Sequence, residues 1–150
     1  MASGSSAGGH VAGATAILSG IDDEADDPSV SPVPNALVLF NPVLDTTETG
    51  YGAALIGKDA VQLSLTHHVK AGLPPMILFH GTADHTVPFA NAEEFVRRVK
   101  EAGGDCRMVP FEGADHGFFN SPSFRKGASE KVYVGTLQNV DEFLTRLKLE

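Results

Sequence analysis

Two short stretches constrain the fold more than anything else in the chain. Residues 36–40 (Ala-Leu-Val-Leu-Phe) and 75–80 (Pro-Met-Ile-Leu-Phe-His) are continuous in apolar residues. A strand with one wetted face alternates apolar and polar residues. A strand covered on both faces does not, and such strands belong to parallel sheets flanked by helices. A third run, 106–111 (Cys-Arg-Met-Val-Pro-Phe), carries Pro110. Proline cannot donate to the ladder, so this strand suits a sheet edge.

Around these runs the period becomes helical. Over 89–102, Phe95, Val96, Val99 and Ala102 share one face, and Gly103-Gly104 stops the helix. A last helix is expected over 129–147, with Leu137, Val140, Leu144 and Leu147 as its apolar stripe. Residues 7–18 are almost wholly small or apolar, which predicts a helix buried on most sides. Its glycines cost helix stability but permit close packing on a sheet. The order is turn, helix, then strand and helix three times over. That order predicts an α/β fold, a three-layer parallel sheet with helices on both faces. The length, 150 residues, suits a single domain spanning 1–150.

Composition narrows the function. Hydrophobic residues make up 42% and charged residues 20%, enough for a folded core. Net charge is −8 with no Lys/Arg-rich block, which argues against nucleic acid and anionic membrane surfaces. No apolar run reaches the length of a membrane span. The start lacks the basic and apolar regions of a secretory signal, so a soluble, cytoplasmic protein is the default expectation. Cys106 is the only cysteine, which excludes an internal disulfide and predicts a small buried residue. Residues 20–35 are acidic and proline-broken, a solvated loop without the spacing of a calcium site. Residues 41–75 are irregular, with one short helix expected over 58–69 and a role as one wall of a substrate cleft.

In a parallel α/β sheet, ligands gather beyond the C-terminal strand ends. Three chemically active residues fall there. Gly4-Ser5-Ser6-Ala7-Gly8 reads as G-x-S-x-G, in which the serine sits on a sharp strand-to-helix turn. Gly4 and Gly8 keep the turn free of side chains, and the Ala7 N–H is the expected oxyanion donor. Asp84 follows the second visible strand and His116 the third. A serine hydroxyl needs a base within hydrogen-bond reach, and the base needs a carboxylate to fix its tautomer. Each element also has a plainer reading. A Gly/Ser-rich start resembles a flexible terminus, an aspartate before a helix is often a cap, and a lone histidine is often structural. Asp45 and Asp115 are rival acids. His10 is expected to bond a nearby backbone group. His67, His68, His80 and His85 match no zinc spacing, so neither metal nor cofactor is expected.

Taken together, Gly4-Ser-Ser-Ala-Gly-Gly-His, His80-Gly-Thr-Ala-Asp84-His-Thr-Val-Pro88 and Gly113-Ala-Asp-His116-Gly-Phe resemble the three signatures of the α/β-hydrolase superfamily. The nearest branch is that of carboxylesterase/acetyl-esterase-like enzymes, related to hormone-sensitive lipase and feruloyl esterases. Asn41-Pro-Val-Leu-Asp and Leu65-Thr-His-His-Val are similar to stretches of that branch. The resemblance implies Ser6 as nucleophile, Asp84 as acid and His116 as base. It implies hydrolysis of short acyl or acetyl esters through an acyl-serine intermediate. Members of the superfamily build several strands before the elbow, whereas this sequence starts at it. The resemblance therefore implies the C-terminal half of the fold, with at most a stub of the elbow strand and without the His-Gly-Gly oxyanion loop. The edge of 36–40 and the helix 7–18 would then lie uncovered. They would pair with a second copy, as a homo-oligomer, or with an N-terminal half. Two other readings stand beside the esterase: a prolyl-oligopeptidase-type peptidase, and a non-catalytic half that folds only with a partner.

Overall fold

The computed structural model describes residues 1–149; Glu150, the last residue of the expected domain, lies outside them. The elements run β1 (Ala2–Ser5), α1 (Ala7–Ile17), β2 (Leu37–Phe40), α2 (Ala53–Ile56), α3 (Ala60–Leu63), β3 (Met76–Gly81), α4 (Phe89–Glu101), β4 (Cys106–Phe111) and α5 (Glu130–Arg146). The strands form one sheet in the order β1-β2-β3-β4, and every neighbouring pair is parallel. This is the parallel α/β arrangement that the continuous apolar runs imply, and it fits the α/β-hydrolase fold that the three motifs resemble.

The two faces of the sheet are covered by different helices. Leu37 and Leu39 of β2 and Met76 and Leu78 of β3 pack with Ala12, Ala16 and Ile17 of α1 and Phe95, Val96 and Val99 of α4. The alternate residues Val38, Ile77 and Phe79 face the other way, onto Phe118 and Phe143. Phe143 belongs to α5, so three layers result. β3 is buried along its whole length. Among the described residues β4 is an outer strand, with no further strand beside Pro110.

Several expectations need correction. Residues 36–40 are not an open edge. β1 pairs with β2 from Ala2 opposite Leu37 to Ser5 opposite Phe40, and β3 pairs along the other side. The elbow strand pairs along all its four residues, and among the described residues the unpaired edge is that of β1. Ser3 adds a side-chain tie, its hydroxyl donating to the Val38 carbonyl at 2.9 Å. The short helix expected within 58–69 is α3, flanked by 3-10 turns at Gly57–Asp59 and Leu65–His68, and α2 precedes it. Positive φ at Gly52 and Gly57 breaks the segment into short turns. Of the expected α5 stripe, Val140, Leu144 and Leu147 pack against the core and Leu137 does not. Phe143 and Thr136 are buried, whereas Leu137 is 49% exposed. An aromatic ring buries more apolar area than a leucine, and Phe143 sets the face.

Candidate active site

Ser6 sits between β1 and α1 with φ 53° and ψ −124°, a backbone conformation that non-glycine residues rarely adopt. Such strain costs on the order of 1–3 kcal/mol and persists only where the surroundings enforce it. Here they do. The Ser6 N–H donates to the Phe40 carbonyl at 3.0 Å, and the Ser6 carbonyl accepts from Val43 and His10 N–H groups, each at 3.1 Å. The elbow is therefore pinned to the end of β2 on one side and to α1 on the other.

Glycine is required here at one expected position and not at the other. A Cβ on Gly4 would collide with the Gly8 carbonyl, backbone against backbone. A Cβ on Gly8 would meet nothing within 4 Å. The second crowded glycine is Gly9, where a Cβ would lie 2.9 Å from the Pro42 Cβ. Ala7 is the first residue of α1, so its N–H has no intrahelical acceptor and stands at the positive end of the helix.

Asp84 follows β3, with its side chain fully buried. Its Oδ1 accepts the N–H groups of Thr86 at 2.8 Å and Val87 at 2.9 Å. Its Oδ2 accepts His116 Nδ1–H at 2.7 Å. Burial pushes the Asp84 carboxyl up, but the bonds from His116, Val87 and Thr86 outweigh it, and the group ends below the ordinary aspartate value. With Nδ1 donating, His116 Nε2 is left to accept, and the Ser6 hydroxyl lies 3.0 Å from it. The His116 side chain is 24% exposed, so one flank of the arrangement is open.

The loops carrying Asp84 and His116 are stitched together. Ala83 N–H donates to the Ala114 carbonyl at 3.0 Å, and Gly113 N–H donates to the Thr82 hydroxyl at 2.9 Å. A Cβ on Gly81 would strike the Ala114 carbonyl, so the loops can touch only because residue 81 is glycine. Arg125 adds a clamp, its guanidinium donating to the His116 carbonyl at 2.7 Å and to Asp115 Oδ2 at 2.9 Å.

The other candidates point elsewhere. Asp115 faces solvent and Arg125. Asp45 binds the Thr47 N–H and the hydroxyls of Thr47, Thr49 and Ser64, which closes its own loop. His10 bonds the Leu63 carbonyl at 2.8 Å. His67 bonds Ser64, and His68 lies 3.2 Å from the Val61 carbonyl. His80 is fully buried, bonded to the Val87 carbonyl at 3.0 Å and lying 3.3 Å from Asp84 Oδ2. Cys106 is buried, which pushes its thiol up to about 12. The segment after β2 forms a hollow lined by Thr47, Thr49, Ala54, Lys58, Val61 and His67; Ser6, Asp84 and His116 do not line it.

Sequence reasoning missed Asn41 and Arg125. Asn41 stood in the sequence as the first residue of a family-like stretch with no role of its own, but it is 1% exposed and its amide meets the His116 ring. Arg125 lies in a loop with no periodic signal.

The family model of the prolyl oligopeptidase family matches residues 37–138. The chain belongs to this family. The matched span of this prolyl oligopeptidase-family chain holds Asp84 and His116 and begins after the Ser6 elbow. Its fold is shared with solved esterases. Thermogutta terrifontis esterase 2, phosphoramylated by tabun, is 43% identical with a TM-score of 0.87, over 98% of this chain and 54% of that one. The butyrate-bound esterase of the same organism is 41% identical with a TM-score of 0.85, over 98% and 56%. A curated Arabidopsis thaliana protein named as a probable isoprenylcysteine alpha-carbonyl methylesterase is 37% identical over 49 residues, 33% of this chain and 10% of that protein. This family member thus spans about half the length of the solved esterases it matches. No helix among its described residues is long and apolar enough to cross a membrane.

Proposed function

We propose that this chain hydrolyses carboxylic esters of short acyl groups through an acyl-Ser6 intermediate. The observation that carries the reading is the line of hydrogen bonds from Ser6 Oγ to His116 Nε2 at 3.0 Å and from His116 Nδ1 to Asp84 Oδ2 at 2.7 Å. Ser6 Oγ attacks the ester carbonyl carbon while His116 Nε2 takes its proton. Asp84 stabilises the imidazolium that forms and holds its tautomer. The carbonyl oxygen becomes an oxyanion, which the Ala7 N–H faces. Collapse expels the alkoxide, which leaves as alcohol with the proton from His116. Water then repeats the sequence on the acyl-enzyme, and Ser6 is restored as the acid departs.

The short acyl group is supported by the solved esterase 2, which is described with propionate and with butyrate bound. Ala7 is one oxyanion donor, and loss of a single donor typically costs ~10²–10³ in rate. Turnover by this chain alone therefore depends on what else covers the site. The family match supports a second reading, a peptidase of the prolyl oligopeptidase type. Turnover of an aryl butyrate and of a proline-containing peptide separates the two. Ester hydrolysis that disappears in Ser6→Ala supports the esterase. Peptide hydrolysis without ester hydrolysis supports the peptidase. Turnover of neither supports the remaining reading, a non-catalytic half that folds only with a partner.

A further inference from the structure

Asn41 ends β2 with φ 35°, inside the left-handed region that asparagine tolerates better than most residues. Its N–H continues the ladder to the Phe79 carbonyl at 2.7 Å, so the backbone is fixed. Its side-chain Nδ2 lies 3.0 Å from His116 Nε2 and 3.1 Å from His116 Nδ1. Both ring nitrogens already have other partners, Ser6 and Asp84. The nitrogens flank the Cε1 carbon. A group nearly equidistant from both and lying in the ring plane would overlap that carbon, so the amide must lie over the face of the imidazole. Amide N–H groups on aromatic faces are weak individually, but they fix ring orientation. Asn41 Oδ1 is buried without a hydrogen-bond partner among the described residues. A fold retains such an orphan acceptor at a cost, and sites of function are where that is found.

We infer that Asn41 is a positioning residue for His116: its amide stacks on the imidazole face and keeps Nε2 aimed at Ser6 while Nδ1 stays on Asp84. The role rests on the ester-hydrolase reading for its kinetic consequence but not for its geometry. The charged and titratable groups around His116 are Asp84 on Nδ1, His80 behind Asp84, and Arg125 on the His116 carbonyl with its partner Asp115.

The first test needs no turnover. In ¹⁵N-labelled protein, the Asn41 side-chain amide protons resonate upfield of ordinary asparagine because of the imidazole ring current, and they do so equally in Ser6→Ala. Ordinary shifts for these protons overturn the inference. The second test is kinetic. Asn41→Gly keeps the positive φ without strain and removes the amide. It lowers kcat about 10- to 100-fold with KM held, as a slight misorientation of a reacting group does. Asn41→Asp replaces the amide nitrogen by a carboxylate oxygen, which favours imidazolium. The acidic limb of its kcat/KM profile moves to higher pH. Native kcat in Asn41→Gly, or an unmoved limb in Asn41→Asp, also overturns the inference. If the wild-type chain turns over no ester while the upfield shift is present, the esterase reading fails and this inference stands.

Discussion

Asp84 and His116 meet at 2.7 Å, and the carboxylate is held from behind by two backbone N–H groups. That arrangement leaves Asp84 no freedom to turn away from the ring. Asp84→Asn keeps the shape but offers an amide N–H where an acceptor is needed. The expected loss in kcat is on the order of 10⁴ with the fold intact. Asp45→Asn and Asp115→Asn, whose carboxylates bind Thr and Arg side chains, change kcat little. A crippling effect at Asp45 would move the acid to the end of β2.

The elbow glycines separate in a stability experiment. Gly4→Ala drives a methyl into the Gly8 carbonyl, and neither backbone can retreat. Overpacking of this kind costs about 1–3 kcal/mol or more, visible in chemical denaturation. Gly8→Ala adds a methyl where there is space and removes a helix glycine, for a gain of about 0.5–1 kcal/mol. Equal effects at the two positions would contradict the packing described here.

Much of this fold is legible in the sequence because β2 and β3 lack alternation, and only a doubly covered strand tolerates that. Pro110 marks β4 as an edge, and the three signatures place Ser6, Asp84 and His116 at strand ends. The pairing of β1 was not legible, because Ala-Ser-Gly-Ser has no strand signal of its own and pairs only because β2 lies beside it. Three of the four α5 stripe residues were legible; the place of Phe143 was not, because packing with Phe118 and Phe79 rather than the helical period selects it over Leu137. The contact of Asn41 with His116 spans 75 residues of sequence, beyond any local pattern.

His80 makes stability depend on pH. Burial holds its imidazole below the ordinary histidine value, despite the Val87 carbonyl and Asp84 beside it. The unfolded chain takes up that proton below about pH 6.5, and the folded chain does so only at lower pH. Stability is therefore complete above that value and drains away as pH falls. The lowered carboxyls of Asp84 and Asp45 add to the loss only below the ordinary carboxylate range. His80→Gln keeps an amide donor and does not titrate. Its Tm should fall less than wild type between pH 8 and pH 5.5; parallel curves would remove His80 from the account.

The outer edge of β1 has no strand beside it among the described residues. Val11 on the neighbouring helix α1 is 65% exposed. An open edge beside apolar surface is a template for pairing with another chain. Light scattering on the purified chain should give a mass above the monomer's 15.8 kDa. A monodisperse monomer would show that this edge needs no partner.

The central claim is that His116 and Asp84 activate Ser6 and no other serine. Organophosphates phosphorylate an activated serine, whose hydroxyl attacks phosphorus and expels the aryloxide, and the solved esterase 2 is described as phosphorylated by paraoxon. Intact-mass and peptide-mapping spectrometry after exposure to paraoxon tests this most directly. One phosphoryl adduct on Ser6, absent in Ser6→Ala and strongly slowed in Asp84→Asn, is the expected result. An adduct on a different serine, or none on Ser6, would contradict the account.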